Sequence, residues 1–391
     1  MKKRKKLPFW LGIIVGVAAC AAAIVICICV QKVVAVNNKD SSDYQEKAEL
    51  ILKYLDKYYL YDLDEEKLAD YVATGILSGL DDRYSVYYDK EAYEELKESV
   101  SGEYSGIGVS IVTNDEGKIE VYKVFSGSPA DEAGIRVMDC IIEADGRRDF
   151  ADMDELVSLV RGIAGTTVDI VIERDGEEIP MTIERAVVAM DTIEYELLEG
   201  NIGYIYISEF DVVTAEQFNN ALEDLADQGM ESLIMDLRDN PGGDYDTVVA
   251  MCDRVLPEGT IMTVKDKNGT VKVETSDEEN QLTLPMVVII NGNSASASEV
   301  FTGAIQDYGL ATIVGEQSYG KGIVQSIFSL NDGTGLKFTT QEYYTPSGRS
   351  IHGVGITPDV EVSLPEDAYA DGILEEDEDT QLQKAIEILS E

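Results

Sequence analysis

The sequence predicts a multidomain α/β protein in which a membrane segment, a helical region, a β-rich domain and an α/β core follow one another. Three patterns support this prediction. An uncharged apolar run lies near the N-terminus, short β-like runs fill residues 101–188, and strand and helix patterns alternate after residue 191. The chain has 391 residues, a length that suggests about two to three domains.

The charge balance excludes a large class of partners. There are 75 Asp and Glu residues against 31 Lys and Arg, so the formal net charge is −44. A protein that binds a polyanion needs a basic surface to displace counterions from phosphates. The dense basic run here is confined to residues 2–6, so we expect no nucleic-acid partner.

The single histidine and the spacing of the five cysteines argue against a metal site. His352 is the one histidine, whereas a helical zinc motif needs two. The cysteines form neither a Cys-x-x-Cys motif nor a disulfide framework, and they are Cys20, Cys27, Cys29, Cys140 and Cys252. We therefore expect no metal or cofactor, and we interpret Cys140 and Cys252 as buried thiols.

Residues 1–36 are predicted to be a basic tail and a transmembrane anchor. Leu7 to Gln31 carries no charge and is long enough to cross a bilayer. The basic flank should remain in the cytoplasm, which places the rest of the chain outside it. A cleaved signal peptide and a lipoprotein cleavage before Cys20 are the alternatives. A signal peptide is disfavoured because the run is longer than a usual signal core. Lipoprotein cleavage is disfavoured because ten apolar residues, Ala21 to Val30, would follow the lipid site.

Residues 37–100 are predicted to form a helical region. Its apolar residues recur at spacings of three and four, which is the pattern of one helix face, at Tyr44, Ala48, Ile51, Leu55 and Tyr58. Asp64 is placed to cap a second helix. No chemistry is visible here, so we interpret the region as a scaffold or a dimerisation element, and a homodimer is one expectation.

Residues 101–190 resemble a PDZ domain. Three pieces carry the resemblance in the right order, Ser105–Val109, Ser128–Ile135 and Ile141–Gly146. A β-rich domain that uses these glycines only as turns is the alternative.

The PDZ resemblance implies that the domain binds peptide C-termini. A glycine-bearing loop, here Gly106, Ile107 and Gly108, would donate N–H groups to a terminal carboxylate while the next strand pairs with the peptide. Four aliphatic residues would contact the terminal side chain, namely Ile107, Val109, Leu156 and Val160.

Three motifs stand out in residues 191–365. The first, Arg238–Gly243, follows a buried strand and would present backbone N–H groups to an anion or oxyanion. The second, Asn291–Glu299, follows the apolar strand Met286–Ile290 and places Ser296 at the start of a helix. The third, Gly315–Gly322, nearly spells a phosphate-binding loop. It lacks the Ser or Thr that holds Mg²⁺, and a strand-like pattern follows it, so we reject a nucleotide site.

Taken together, these motifs resemble the S41 peptidases, the carboxyl-terminal processing or tail-specific proteases. Further matches are Tyr344–Ile351 and Gly355–Asp359. The resemblance implies a crotonase-like α/β serine protease core in which Ser296 is the nucleophile, Lys321 the base and Gln325 its partner. Residues 366–391 are predicted to be an acidic helical segment.

The predicted chemistry is cleavage of protein tails by a Ser-Lys dyad. Lys321 can accept a proton only when it is neutral, and burial among residues without counter-charge favours that form. The N–H groups of Ala297 and of Gly242 or Gly243 would hold the tetrahedral oxyanion.

Three alternatives are weighed against this function. A histidine base at His352 is disfavoured because no Gly-x-Ser-x-Gly elbow occurs. A catalytically inactive PDZ scaffold is disfavoured because every catalytic residue type is present. An acyl-transfer enzyme of the crotonase type would not need the peptide-binding domain.

Overall fold

The computed structural model describes residues 42–114, 116–279, 281–365, 368, 374 and 378–390. The chain divides into two compact units, with the division between residues 73 and 74. Helix α1 (Ser42–Tyr58) lies in the first unit, and α2 (Glu65–Ser78) ends in the second. Among the described residues, no helix is long and apolar enough to cross a membrane. The predicted membrane segment, Leu7 to Gln31, lies outside the described residues.

The two helices predicted in the N-terminal region are confirmed. Asp64 caps α2, because its carboxylate accepts a hydrogen bond from the N–H of Lys67 at 3.0 Å. Several large apolar side chains of α1 are exposed, namely Tyr44, Leu50, Ile51, Leu52, Tyr54 and Tyr58.

A strand-helix-strand segment leads into the β-rich domain. It consists of β1 (Val86–Tyr88), α3 (Lys90–Ser101) and β2 (Glu103–Gly106). The carboxylate of Asp89 caps α3, accepting from the N–H of Ala92 at 3.0 Å. Gly102 ends α3 in the left-handed conformation with φ 69°, which glycine adopts without strain.

The β-rich domain is an antiparallel five-stranded sheet closed by two helices. The strands pair in chain order, so the first of them is an edge strand. They are β3 (Val109–Thr113), β4 (Ile119–Val124), β5 (Cys140–Ala144), β6 (Thr167–Arg174) and β7 (Glu177–Glu184). The helices are α4 (Pro129–Glu132) and α5 (Met153–Val160), and β8 (Ala186–Ala189) returns to pair with β2.

A six-stranded sheet forms the centre of the α/β core. Its strands are β9 (Ile193–Leu198), β10 (Ile202–Ile207), β11 (Ser232–Asp236), β14 (Met286–Ile290), β15 (Ala311–Gly315) and β18 (Val360–Glu361). All pair in parallel except β9, which lies antiparallel at one edge. Every residue of β11 and β14 is buried, as expected for a parallel sheet covered on both faces.

Helices cover both faces of this sheet. The first face carries α6 (Thr214–Asp227), α7 (Tyr245–Val255) and α8 (Ala297–Tyr308), whose apolar residues share one core with alternate sheet residues. The intervening sheet residues pack with α9 (Thr380–Ser390) in a second core. Alternation along the strands therefore divides the apolar residues between two layers.

A second five-stranded sheet lies beside the core helices and carries residues of the site described below. It consists of β1 with β12 (Gly259–Asp266), β13 (Val271–Ser276), β16 (Ile323–Ser329) and β17 (Gly335–Tyr344). β17 is its centre, because β1, β12 and β16 all pair with it.

Candidate active site

Ser296 stands in the sharp turn between β14 and α8. Its φ of 57° and ψ of −114° are unfavourable for a residue with a Cβ, at a cost of about 1–3 kcal/mol. Strain of this kind persists only where surrounding contacts impose it, and it often marks a functional position.

The carboxylate of Glu299 fixes this turn to the loop that carries Lys321. It accepts hydrogen bonds from the N–H of Ser296 at 2.9 Å and from the N–H of Lys321 at 2.8 Å. The Ser318 hydroxyl at 2.6 Å and the N–H of Gly320 at 2.7 Å complete the set. Only 1% of Glu299 is exposed, so these four donors replace water around a buried charge.

Tyr343, at the end of β17, makes a second bridge between the same two residues. Its buried hydroxyl lies 2.9 Å from the carbonyl oxygen of Ser296 and also contacts the carbonyl oxygen of Lys321. Glu299 therefore binds the backbone N–H groups of Ser296 and Lys321, and Tyr343 binds the carbonyl oxygens of the same two residues.

The ammonium of Lys321 lies over the ring of Tyr84, with Nζ 4.9 Å from the ring centroid. Burial lowers the pKa of Lys321 below its ordinary value, and the nearby cations Lys337 and Arg83 lower it further. Glu299 acts in the opposite direction. The prediction that no counter-charge lies near the lysine is therefore wrong, although burial still decides the direction of the shift.

One cavity of about 520 Å³ brings the predicted catalytic residues together. It is lined by all six of them, Ser296, Ala297, Lys321, Gln325, Gly242 and Gly243. The amide Nε2 of Gln325 lies 3.5 Å from the Thr339 hydroxyl on the neighbouring strand.

The glycine turn approaches Ser296 closely. A Cβ on Gly242 would lie 2.7 Å from the Cβ of Ser296 and 2.8 Å from the backbone N of Ala297, so no larger residue fits there. The N–H of Gly242 donates to the side-chain oxygen of Asn240 at 2.8 Å. Its predicted use as an oxyanion donor is wrong in this geometry, because that hydrogen is already engaged. The N–H of Ala297, in the first turn of α8, has no acceptor within its own helix, and Gly243 is the glycine that remains.

The groove between β3 and α5 has a volume of about 160 Å³. Five of the residues predicted to bind a peptide C-terminus line it, Gly106, Ile107, Gly108, Val109 and Val160.

Comparisons with known proteins agree with this architecture. The family model "Peptidase family S41" matches residues 201–362, and the "PDZ domain" model matches residues 105–184. A probable CtpA-like serine protease of Staphylococcus aureus is 34% identical over 372 residues, which cover 93% of this chain and 74% of that protein. The chain belongs to the peptidase S41 family. It is thus a serine-type protease of the carboxy-terminal processing group, with a PDZ domain.

Two further comparisons give a second relative in sequence and a solved structure with a similar fold. The carboxy-terminal processing protease CtpA of Bacillus subtilis is 35% identical over 311 residues, which cover 79% of this chain and 66% of that protein. A putative S41 protease from Bacteroides fragilis has the same fold, with a TM-score of 0.52 at 18% identity, covering 85% of this chain and 92% of that one.

One predicted groove residue of this S41 peptidase lies elsewhere. Leu156 is fully buried and packs in the core of the PDZ domain, so its predicted contact with a bound peptide is wrong. Successive residues of a helix point about 100° apart. Val157 therefore lines the groove with Val160, while Leu156 turns inward.

Other residues at the site were not predicted. Glu299 carries a weak sequence signal, since it follows Ser296 by three positions, as in a capping box. Tyr84 and Tyr343 carry no signal, because each reaches the site from a distant segment. His352 is exposed and does not line the cavity, and its backbone packs against Gly322.

Proposed function

We propose that this S41 peptidase cleaves protein substrates near their C-terminal tails with a Ser296-Lys321 dyad. The observation that supports the proposal is the single cavity lined by Ser296, Lys321, Gln325 and two backbone N–H donors. The enzyme class follows from the family, whereas the dyad and the mode of substrate recognition are the proposal.

In the proposed mechanism, neutral Lys321 takes the proton from the Ser296 hydroxyl as its Oγ attacks the scissile carbonyl carbon. The N–H groups of Ala297 and Gly243 stabilise the oxyanion. The resulting ammonium gives its proton to the leaving amine, and the C–N bond breaks. Water then hydrolyses the acyl-enzyme, again with Lys321 as the base. Gln325 is an uncharged amide, so it can orient the lysine without favouring the ammonium.

A serine-directed covalent probe tests the dyad. The full-length chain in detergent should be labelled at Ser296, as shown by mass spectrometry of the modified peptide, and Ser296→Ala should lose both labelling and peptide cleavage. Ser347→Ala, at an exposed position outside the cavity, is the control. Labelling of another serine, or cleavage by Ser296→Ala at the wild-type rate, would overturn the assignment.

Membrane anchorage and extracytoplasmic location are further parts of the proposal. They rest on the uncharged run Leu7–Gln31 and its basic flank. Carbonate-washed membranes from expressing cells should retain the full-length chain, and protease added outside the cell should digest residues 37–391. Release by carbonate, or full protection from outside, would contradict this.

A homodimer through the N-terminal helical region is also proposed, and the exposed apolar side chains of α1 support it. Light scattering on the detergent-solubilised chain should give twice the protomer mass. Replacing Leu50 and Ile51 by serine should give the monomer.

A further inference from the structure

A third cavity has lining residues in common with both the PDZ groove and the catalytic cavity. Its volume is about 520 Å³. It shares Tyr104, Arg161 and Met190 with the groove. It shares Ser99, Glu209 and Asp211 with the catalytic cavity. A substrate whose C-terminus lies in the groove while an upstream bond lies at Ser296 would have this space, which we call the passage, beside both of its bound parts.

The walls of the passage are strongly acidic. Six carboxylates line it, those of Glu95, Glu98, Glu103, Asp191, Glu209 and Asp211. Among the described residues of the lining, Arg161 is the one basic residue, and it pairs with Glu98 at 3.2 Å. Asp191 pairs with Lys123 at 3.3 Å. Within the part of the chain that the structure describes, the other four carboxylates have no ion-pair partner.

Asp211 is the buried member of this set of carboxylates. Only 4% of the residue is exposed, and its Oδ2 is buried without any hydrogen-bond partner among the described residues. A buried polar atom in a native structure normally has a partner, and leaving it unpaired is costly. The Asp211 Oδ2 is therefore a buried acceptor that no donor of the described residues satisfies.

Gly102 and Thr214 fix the position of Asp211, which lines both the passage and the catalytic cavity. A Cβ on Gly102 would lie 2.8 Å from the Cβ of Asp211 and 3.2 Å from its Oδ2, so the glycine leaves just enough room for the carboxylate. The N–H of Asp211 donates to the Thr214 hydroxyl at 2.9 Å, which fixes the backbone. Burial and, after it, the nearby carboxylates of Glu209 and Asp244 together raise the pKa of Asp211 to about 7. A cationic partner would relieve both effects.

We infer that the passage selects substrate tails that carry a lysine or arginine between the scissile bond and the C-terminus, with Asp211 as the acceptor for that side chain. This inference rests on the proposed function, because it needs a substrate that occupies the groove and the catalytic cavity together. An ammonium or guanidinium supplies the missing donor and offsets the neighbouring carboxylates. The aliphatic stem of the side chain can lie along the apolar part of the wall, such as Met190.

Matched peptides test the inference with the full-length chain in detergent. They share the scissile region and a small apolar C-terminus, and they differ only in Lys, Gln or Glu at one position between the two. We expect kcat/KM for the Lys peptide to exceed that for the Gln peptide by about tenfold, the factor that corresponds to ~1.4 kcal/mol. The Glu peptide should be the poorest substrate. Equal values for the Lys and Gln peptides would overturn the inference.

Two variants separate Asp211 from the general negative charge of the protein. Asp211→Asn should abolish most of the preference for the Lys peptide. Asp227→Asn removes the same formal charge from an exposed position on α6, and the preference should remain. Loss of the preference in both variants, or in neither, would overturn the role of Asp211. A lysine placed upstream of the scissile bond should show no dependence on Asp211.

A binding measurement keeps this inference distinct from the proposed function. Fluorescence anisotropy with the Ser296→Ala chain should give a lower Kd for the Lys peptide than for the Gln peptide, and Asp211→Asn should remove the difference. If the wild type cleaves no peptide, the proposed function fails, and the Kd ratio still decides the role of Asp211. If all peptides are cleaved and bound alike, the inference fails and the proposed function stands.

Discussion

Lys321 has to lose a proton before it can act as a base, and its neighbours decide the pH at which that happens. Burial lowers the pKa of the lysine, and the positive charges of Lys337 and Arg83 act in the same direction. The face of Tyr84, 4.9 Å from the ammonium, favours the charged form. These contributions to the pKa of Lys321 oppose one another, and desolvation is the largest of them.

We predict that kcat/KM falls on the acid side as the pH drops through the lowered pKa of Lys321, because protonation removes the base. Lys337→Gln removes a nearby positive charge, so it should raise the pKa of Lys321 and move the acid limb of the profile to higher pH. Lys267→Gln, at an exposed position outside the cavity, should leave the profile unchanged.

Replacing the base gives a second test of the same residue. Lys321→Arg should reduce kcat by about 10²–10⁴-fold, the range for loss of a general base, because arginine does not deprotonate in proteins. If the arginine variant kept the activity of the wild type, Lys321 would bind substrate instead of moving a proton.

Glu299 is predicted to position Ser296 and Lys321 through the four hydrogen bonds that its carboxylate accepts. Glu299→Gln keeps the shape but replaces one acceptor oxygen by an NH₂ group, so some donors lose their partner. At about 1–3 kcal/mol for each unsatisfied group, we expect the free energy of unfolding to fall and kcat to fall more than 10-fold with a smaller change in KM. Kinetics and thermal unfolding of this variant are compared with those of Glu231→Gln, an exposed residue. An unchanged kcat despite lower stability would make the contact purely structural.

At the scale of elements, patterns within one segment were predictable and pairings between distant segments were not. The alternating sequence of Ile119–Val124 indicates a strand, and β4 has these bounds. Asp145 and Asp175, each followed by glycine, take the positive φ that Asp-Gly turns indicate. The sheet centred on β17 joins strands from three distant parts of the chain, residues 86–88, 259–276 and 323–344. No periodicity within a strand can reveal that pairing.

The same distinction explains which site residues could be predicted. Ser296 and Lys321 lie in motifs, so the resemblance to S41 peptidases was enough to select them. Tyr343 reaches Ser296 across 47 positions, and only the fold brings them together. Leu156 was misassigned because a helix of eight residues has little sequence from which to distinguish its inner face from its outer face.

The PDZ groove is predicted to require a free substrate C-terminus. β3 is an edge strand with an open side, so a peptide can pair with it, and the loop at Gly106–Gly108 offers N–H donors to a carboxylate. Amidation removes that charge, so capture should weaken by the ~1.5–3 kcal/mol of charge-assisted hydrogen bonds. We would compare kcat/KM for each peptide and its amide, with N-terminal acetylation as the control. Equal values for acid and amide would contradict tail recognition.

At the scale of the whole molecule, the last helix closes the protease core. Arg238 is buried and pairs with Asp236 at 2.5 Å and with Asp379 at 2.8 Å, across 141 positions of the chain. Next to Asp379, α9 packs its apolar residues on the central sheet. The predicted acidic helical segment, 366–391, therefore contributes its described residues 378–390 to the core.

This closure predicts that Asp379→Ala destabilises the protease core without affecting peptide capture by the PDZ domain. The substitution leaves the Arg238 guanidinium buried, with Asp236 as its remaining ion-pair partner and Gln381 as a neutral acceptor. Removing one member of a buried ion pair costs about 3–5 kcal/mol. We therefore expect the free energy of unfolding, measured with denaturant, to fall by an amount at the lower end of that range. The control is Glu387→Ala on the same helix, which breaks an exposed pair with Lys384 at 3.0 Å and should cost under about 1 kcal/mol. Comparable losses from the two variants would mean that the buried pair contributes no more than a surface one, and that packing of α9 alone closes the core.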